Sequence, residues 1–358
     1  MIVLVTLLFA TMALVAFVEK ASDDLLVEAR EAEGRRLRQE AYSALEVTLG
    51  VLEDFRLVNG GLRSPAEGWA DPLDFAGWAP REGRVVEVAF EDESGKLSLP
   101  QVQLATLVAL FKGWGLLQID AERLADSLFG WMRKDHVASS AQQPDYEQGS
   151  LPYGAPLRSM RTYTELAAID YAREKFYDDL GQPNELWHRF VAAISLYDFK
   201  ETNLNGLSGN LLTDLGLIDA SQQRQFDEFR TGAGSRARAG PGFFETAADA
   251  ASVLGAQPPG YGTQISALRI NLTVREGRTQ FRLSVVVAPE GGATAVKEIA
   301  ANTSESPSVN ATPSAPAAKP AATAENSAGA KKLKYPFTLL EIRENAEISA
   351  VPAPPNQA

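Results

Sequence analysis

The chain has 358 residues, 45% of them hydrophobic, and 34 Lys and Arg against 46 Asp and Glu give a formal net charge of −12. That length supports a sizeable core and leaves room for a second, since a domain takes roughly 100–200 residues. The acidity disfavours a partner held through phosphate neutralisation, which draws on clustered Lys and Arg. With no cysteine there is no disulfide, thiolate nucleophile or Cys-based metal centre, and the two histidines, His136 and His188, leave little for metal catalysis.

Met1 to Val18, MIVLVTLLFATMALVAFV, carries no charge. As a helix rising about 1.5 Å per residue it spans about 27 Å, close to a bilayer core of about 30 Å, and it reads as a membrane anchor. A cleaved signal peptide would need a basic n-region and a small-x-small cleavage site, and neither is evident. Residues 21–55, rich in Glu, Arg, Ala and Leu, continue the helix, with Gly34 and Gly50 as its weak points. Tyr42, Leu45, Leu49 and Leu52 recur at helical spacing and predict an apolar face that docks on a domain.

After a Gly- and Pro-rich stretch at 59–80, RVVEVAFEDESGKLSL predicts two strands around a tight turn, with Ser94-Gly95 supplying a positive-φ corner. The same segment is no phosphate loop, because Phe90 stands where the first glycine belongs and Leu97 where Ser or Thr belongs. Nor does it keep the spacing of an EF-hand loop: counting from Glu91, the twelfth residue is Val102 instead of Glu.

From Pro100 to Leu254 the pattern is helical, with Asp120 and Asp219 as N-caps and Gly181 as a helix stop. A polar loop at 137–154 and the stretch GAGSRARAG interrupt it; Arg236 and Arg238 in the latter read as linker before anion seat. Asn203 and Asn205 resemble the asparagine turn of helix-hairpin-helix and SAM-like modules, some of which hold DNA phosphates. Gly206 and Leu207 replace the Thr-Ala of that element and no basic residue lies between Thr202 and Gln223, so a structural turn is favoured. Trp114, Trp131, Trp187, Phe190 and Tyr197 fall within helical runs and are assigned to the core. No nucleophile elbow, zinc-binding HExxH or paired catalytic carboxylates can be identified, which argues against an enzyme.

TQISALRINLTV and TQFRLSVVVAP predict a strand, turn, strand unit. Residues 289–334, rich in Ala, Pro, Ser and Thr, are expected to be mobile; YPFTLLEIRE returns as a strand before a Pro-rich tail. Strands thus flank the helical region on both sides, and the expected fold class is α+β, with one sheet assembled from both ends. The expected divisions are a transmembrane helix at 1–20, an amphipathic helix and first strands at 21–99, a helical domain at 100–255, the remaining strands at 256–345 and a tail at 346–358.

The order of several elements resembles the K-type minor pseudopilins of bacterial type II secretion systems, the GspK family. They are the apolar N-terminal helix, Trp69-Ala70-Asp71-Pro72, DESGKLSL, Trp131 with its following acidic loop, LPYGAPLRSMRTYTEL and TNLNGLS. The resemblance implies a pilin-like antiparallel sheet wrapped on the long helix and interrupted by a large inserted all-α, SAM-like domain. It implies a non-enzymatic subunit, single-pass in the bacterial inner membrane with a periplasmic head, that caps the pseudopilus tip by binding I- and J-type minor pseudopilins, with no nucleic acid or small-molecule substrate. Most pseudopilins carry Glu at the fifth mature residue and K-type subunits lack it; Val5 agrees. The family also has a basic leader ending in Gly, cut by prepilin peptidase, ahead of the apolar segment. The helical domain of the family can hold Ca²⁺, and the carboxylates this sequence offers there are Asp135, Asp145 and Glu147, beside Arg133 and Lys134. The alternative is a membrane-anchored, helix-hairpin-helix-like nucleic-acid-binding protein using the Asn203 turn.

Overall fold

The computed structural model describes residues 2–138, 153–207, 210–233, 242–255, 258–295 and 336–345, apart from the side chains at positions 4–6 and 8–10. Helix α1 (Ile2–Asn59) runs unbroken through both Gly34 and Gly50. Its second half carries a stripe of Leu37, Ala41, Ala44, Leu45, Val51 and Leu52, all buried, with Tyr42 and Leu49 packed at its flank. Positions three and four apart share one helix face, so this stripe can lie along a single surface. Each fully buried leucine here contributes about 1.5–3 kcal/mol.

That surface is a four-stranded antiparallel sheet of β1 (Arg84–Asp92), β6 (Leu268–Glu276), β7 (Thr279–Pro289) and β8 (Phe337–Glu344), in the order β1-β6-β7-β8. One row reads Phe90↔Ile270↔Val285↔Ile342. Alternation then decides the faces: Val86, Val88, Ile270, Leu272, Val274, Leu283 and Val285 meet α1, while Arg275, Arg282 and Arg343, of opposite parity, lie on the other face. A two-residue turn with Gly277 at φ 57° joins β6 to β7, as a tight hairpin requires. The expectation of one sheet drawn from both ends of the chain is met.

The hairpin expected at 84–98 does not form. β1 pairs with β6, the chain then makes a 3-10 turn at Glu93–Gly95, and Leu97–Ser98 (β2) pairs in parallel with Ile194–Ser195 (β3). Gly95 has no left-handed φ; its requirement is space, because a Cβ there would collide with the carbonyl of Gly206.

Between β1 and β6 lie α3 (Leu104–Gly113), α4 (Gln118–Met132), α5 (Asp170–Phe176), α6 (Glu185–Ala193), α7 (Leu211–Asp214), α8 (Ala220–Thr231) and α9 (Ala247–Leu254). They enclose their own core, in which Phe111, Phe176 and Phe190 meet with ring centroids 5.0–6.5 Å apart. Two pairs of two-residue parallel strands, β2–β3 and β4–β5 (Thr202–Asn203 with Tyr261–Gly262), stitch this region together and were not foreseen. Asp219 caps α8 through a capping box, as expected. Asp120 does not cap: α4 begins at Gln118, and Asp120 accepts a hydrogen bond from the Tyr171 hydroxyl at 2.5 Å. Gly181, with φ 74°, turns the chain five residues beyond the end of α5 rather than closing it. Arg236 and Arg238 lie outside the described residues, as does most of 289–334.

Candidate functional site

Two regions stand out: a half-helix with an exposed apolar surface, and a polar joint. Every described side chain from Ile2 to Glu31 except Ala21 is exposed, including Met12, Leu14, Phe17 and Val18. A contiguous apolar surface of this extent marks a lipid or protein contact. Among the described residues no helix is long and apolar enough to cross a membrane, and Met1 with the side chains at 4–6 and 8–10 falls outside them.

The joint is where the sheet meets the helical region, and the sequence motifs converge on it. Arg269 on β6 clamps Glu93 with its Nε at 2.7 Å and a terminal nitrogen at 2.5 Å, and Lys96 approaches Glu93 at 3.3 Å and Glu91 at 2.6 Å. Glu341 on β8 faces Arg269 at 3.6 Å and accepts from the Tyr197 hydroxyl, so the last strand closes the cluster. Burial raises the Glu93 carboxyl, but the charges of Lys96 and Arg269 outweigh it and hold the group below the usual carboxylate range. Tyr197 is raised by burial and by its bond to Glu341.

Beside this cluster sits a second hydrogen-bonded group, centred on Asp92. Asp92 accepts from the Ser94 amide at 2.9 Å, the Ser94 hydroxyl at 2.6 Å and the Asn203 amide group at 2.7 Å. The residue keeps some exposure, but its carboxylate is enclosed, and burial pushes it up to about 7 against the pull of those donors. Asn203 also donates to the Arg63 carbonyl at 3.0 Å and accepts from the Asn205 amide at 3.1 Å. Asn205 bridges Phe244 and Thr263. These bonds tie the side-chain amides of Asn203 and Asn205 inside the chain, as a structural turn requires, and the nucleic-acid alternative has no support.

The remaining motifs are also internal. Trp69 packs edge-on to Phe90 at 5.0 Å and donates to Glu67, closing one end of the sheet. Trp131 donates to Glu165 at 3.3 Å, and Glu165 also receives Arg158 and the Arg161 amide, so PLRSMRTYTEL is tied down as a folded loop by its own side chains. Phe190 and Trp131 are buried, while Trp114, Trp187 and Tyr197 pack at core margins.

Of the proposed calcium ligands, Asp145 and Glu147 lie outside the described residues and Asp135 is exposed. Arg133 turns onto the Phe129 ring at 4.1 Å and donates to the carbonyls of Pro100 and Val102. His136 meets Asp126 at 3.0 Å. Among the described residues no group of three acidic or imidazole side chains is placed to hold a metal ion, and Asp135 alone supplies one of the six to eight oxygens that calcium takes.

The sequence signals found the apolar rod and the motif positions but missed Arg269 and Glu341, which are distant in sequence and carry no motif, and gave Tyr197 only a core role. Comparison with known proteins bears on the whole. The family model for type II secretion system (T2SS), protein K matches residues 89–182, from β1 through the joint to just past α5. A chain of the crystal structure of the GspK-GspI-GspJ complex from the enterotoxigenic Escherichia coli type 2 secretion system superposes with a TM-score of 0.50 at 13% identity, covering 73% of this chain and 93% of that one. No curated protein matches in sequence. Residues 89–182 are thus similar to the type II secretion system protein K family, and the long helix on an antiparallel sheet is the fold of that solved chain.

Proposed function

We propose that this chain is a minor pseudopilin that sits at the tip of the type II secretion pseudopilus and binds I- and J-type subunits there, starting or capping the filament without catalysing a reaction. The observation that carries this reading is the first half of α1, where the apolar side chains of Leu7, Met12, Leu14, Val15, Phe17 and Val18 are more than half exposed. In the membrane that half is covered by lipid; after extraction, by the helices of neighbouring subunits. The bulk of the helical region beside the sheet suits a terminal place, since a subunit stacked above it would have to clear that mass.

On this reading residues 1–20 anchor the chain singly in the inner membrane and the head is periplasmic. The head divides into a pilin-like part, 21–99 with 256–345, and an inserted helical domain at 100–255. Co-expression of the full chain with I- and J-type subunits tests the assignment. A stable ternary complex is expected; a chain that purifies alone from detergent in the presence of both partners contradicts it. Calcium at Asp135, Asp145 and Glu147 is a second proposal, tested by terbium luminescence: sensitised emission that Asp145→Asn with Glu147→Gln abolishes supports it, and emission unchanged by that pair of substitutions refutes it.

A further inference from the structure

The chain contains two Asn-Gly pairs, Asn59-Gly60 and Asn205-Gly206, and the fold holds them in opposite ways. In such a pair the following backbone nitrogen reaches the asparagine side-chain carbonyl most readily, because glycine has no Cβ to obstruct the approach. Whether that nitrogen attacks depends on how firmly the two residues are fixed.

Asn205 is fixed by three bonds. Its Nδ2 donates to the carbonyls of Phe244 and Thr263, both at 3.0 Å, its Oδ1 accepts from the Phe244 amide at 2.7 Å, and the residue is 8% exposed. Gly206 is pressed against the Asp92 carboxylate, which a Cβ would strike. Turning the Asn205 side chain onto the Gly206 nitrogen would break bonds inside the joint and leave buried polar atoms without partners.

Asn59 is the last residue of α1, half-buried between exposed Val58 and exposed Gly60. Gly60 leaves the helix with φ 69°, and the Gly61 amide reaches back to the Arg56 carbonyl at 3.0 Å. Among the described residues no hydrogen bond engages the Asn59 side chain or the Gly60 amide. The peptide group between them does carry a cation on its oxygen: Arg63 Nη1 donates to the Asn59 carbonyl at 3.2 Å. Positive charge there favours the deprotonated form of the same peptide group, and so makes the Gly60 N–H more acidic. Helix ends open at low cost, which lets the Asn59 backbone rotate into line for attack.

We propose that Asn59 is a site of spontaneous deamidation, at the seam where the long helix meets the head, and that the fold protects Asn205 from the same reaction. The Gly60 nitrogen gives up its proton and bonds to Asn59 Cγ; the Cγ–Nδ2 bond breaks, Nδ2 leaves as ammonia, and a succinimide ring closes. Water then opens the ring at either carbonyl, giving aspartate or isoaspartate. Isoaspartate routes the main chain through the former side chain and lengthens it by a methylene. That insertion falls just before Leu62, whose carbonyl accepts from the Ile265 amide at 2.7 Å, and Arg63, whose carbonyl accepts from Asn203 at 3.0 Å. Either product also sets a carboxylate at the C-terminal end of α1, where the helix dipole opposes negative charge. The inference is independent of the tip assignment.

The experiment ages the full chain in detergent at mildly alkaline pH and follows it by mass spectrometry after brief trypsin digestion. Cleavage at Arg56 and Arg63 releases residues 57–63, and cleavage at Lys200 and Arg224 releases residues 201–224, so the two pairs are read separately. Asn59 should convert to aspartate and isoaspartate on the order of a hundredfold faster than Asn205, the factor expected from three buried hydrogen bonds. In urea the two should convert at comparable rates, since the protection is lost with the fold. Arg63→Gln, which removes the cation, should slow Asn59 in the folded chain. Asn59 that stays intact while a free peptide of residues 57–63 converts overturns the proposal, as does Asn205 converting as fast as Asn59 in the folded chain. A contrast that persists unchanged in urea overturns the role given to the fold, and an unchanged rate in Arg63→Gln overturns the role given to the cation.

Discussion

Replacing Arg269 by Met removes the clamp on Glu93 while keeping the aliphatic stem. Arg269 and Glu93 keep only 16% and 2% of their side-chain surface exposed, so the carboxylate that remains has little water to turn to. Lys96 at 3.3 Å is then its nearest cation, and that lysine is already shared with Glu91. Removing one partner of a buried pair costs about 3–5 kcal/mol, far more than the pair's net contribution, because the other charge is stranded. The expected result for Arg269→Met is therefore a loss of that size in urea unfolding of the full chain in detergent, read by tryptophan fluorescence. Adding Glu93→Gln should restore part of it, since the stranded charge is gone. A loss below about 1 kcal/mol for the single variant, the range of exposed pairs, would refute the claim that this cluster locks the sheet to the helical region.

Other outcomes follow from the same geometry. Asp92 has a folded value near 7, above its unfolded value of 3.8, so the folded chain binds the extra proton between those limits; its contribution to stability is greatest at low pH and is lost as pH rises through about 7. The stability of the wild type relative to Asp92→Asn should accordingly fall between pH 4 and 7, and a flat difference would contradict the shift. Gly95→Ala should cost about 1–3 kcal/mol or more, because the carbonyl of Gly206 cannot withdraw as a side chain could, and a neutral result in thermal melts would contradict the close approach. Leu52→Ala should cost about 2–5 kcal/mol from the cavity left between α1 and the sheet, with a matching drop in the urea midpoint.

The parts of the fold legible in the sequence are those with a period. The α1 stripe of Tyr42, Leu45, Leu49 and Leu52, the alternation of β6 and β7 and the short strand at 337–344 each repeat often enough to declare a face. The joint has no such signal. Glu91, Glu93 and Lys96 read locally as a solvated turn, and their burial depends on Arg269 and Glu341, which arrive from far along the chain. Two-residue strands such as β2 and β3 are too short for any periodicity to register. Gly95 was misread for a related reason: a sequence shows that a glycine is present, whereas the backbone that would strike its Cβ comes from Gly206 in another motif. The asparagines of TNLNGLS were placed in a structural turn from the lack of neighbouring charge, and their hydrogen bonds agree.

The chain has no cysteine, so a single one introduced at Phe17, 70% exposed on the first half of α1, reports contacts without background. In cells carrying I- and J-type subunits with cysteines scanned along their own apolar helices, oxidation should give a heterodimer between this chain and one of those subunits. Cross-links found only between copies of this chain, or none to either subunit while the chain remains folded, would contradict the account.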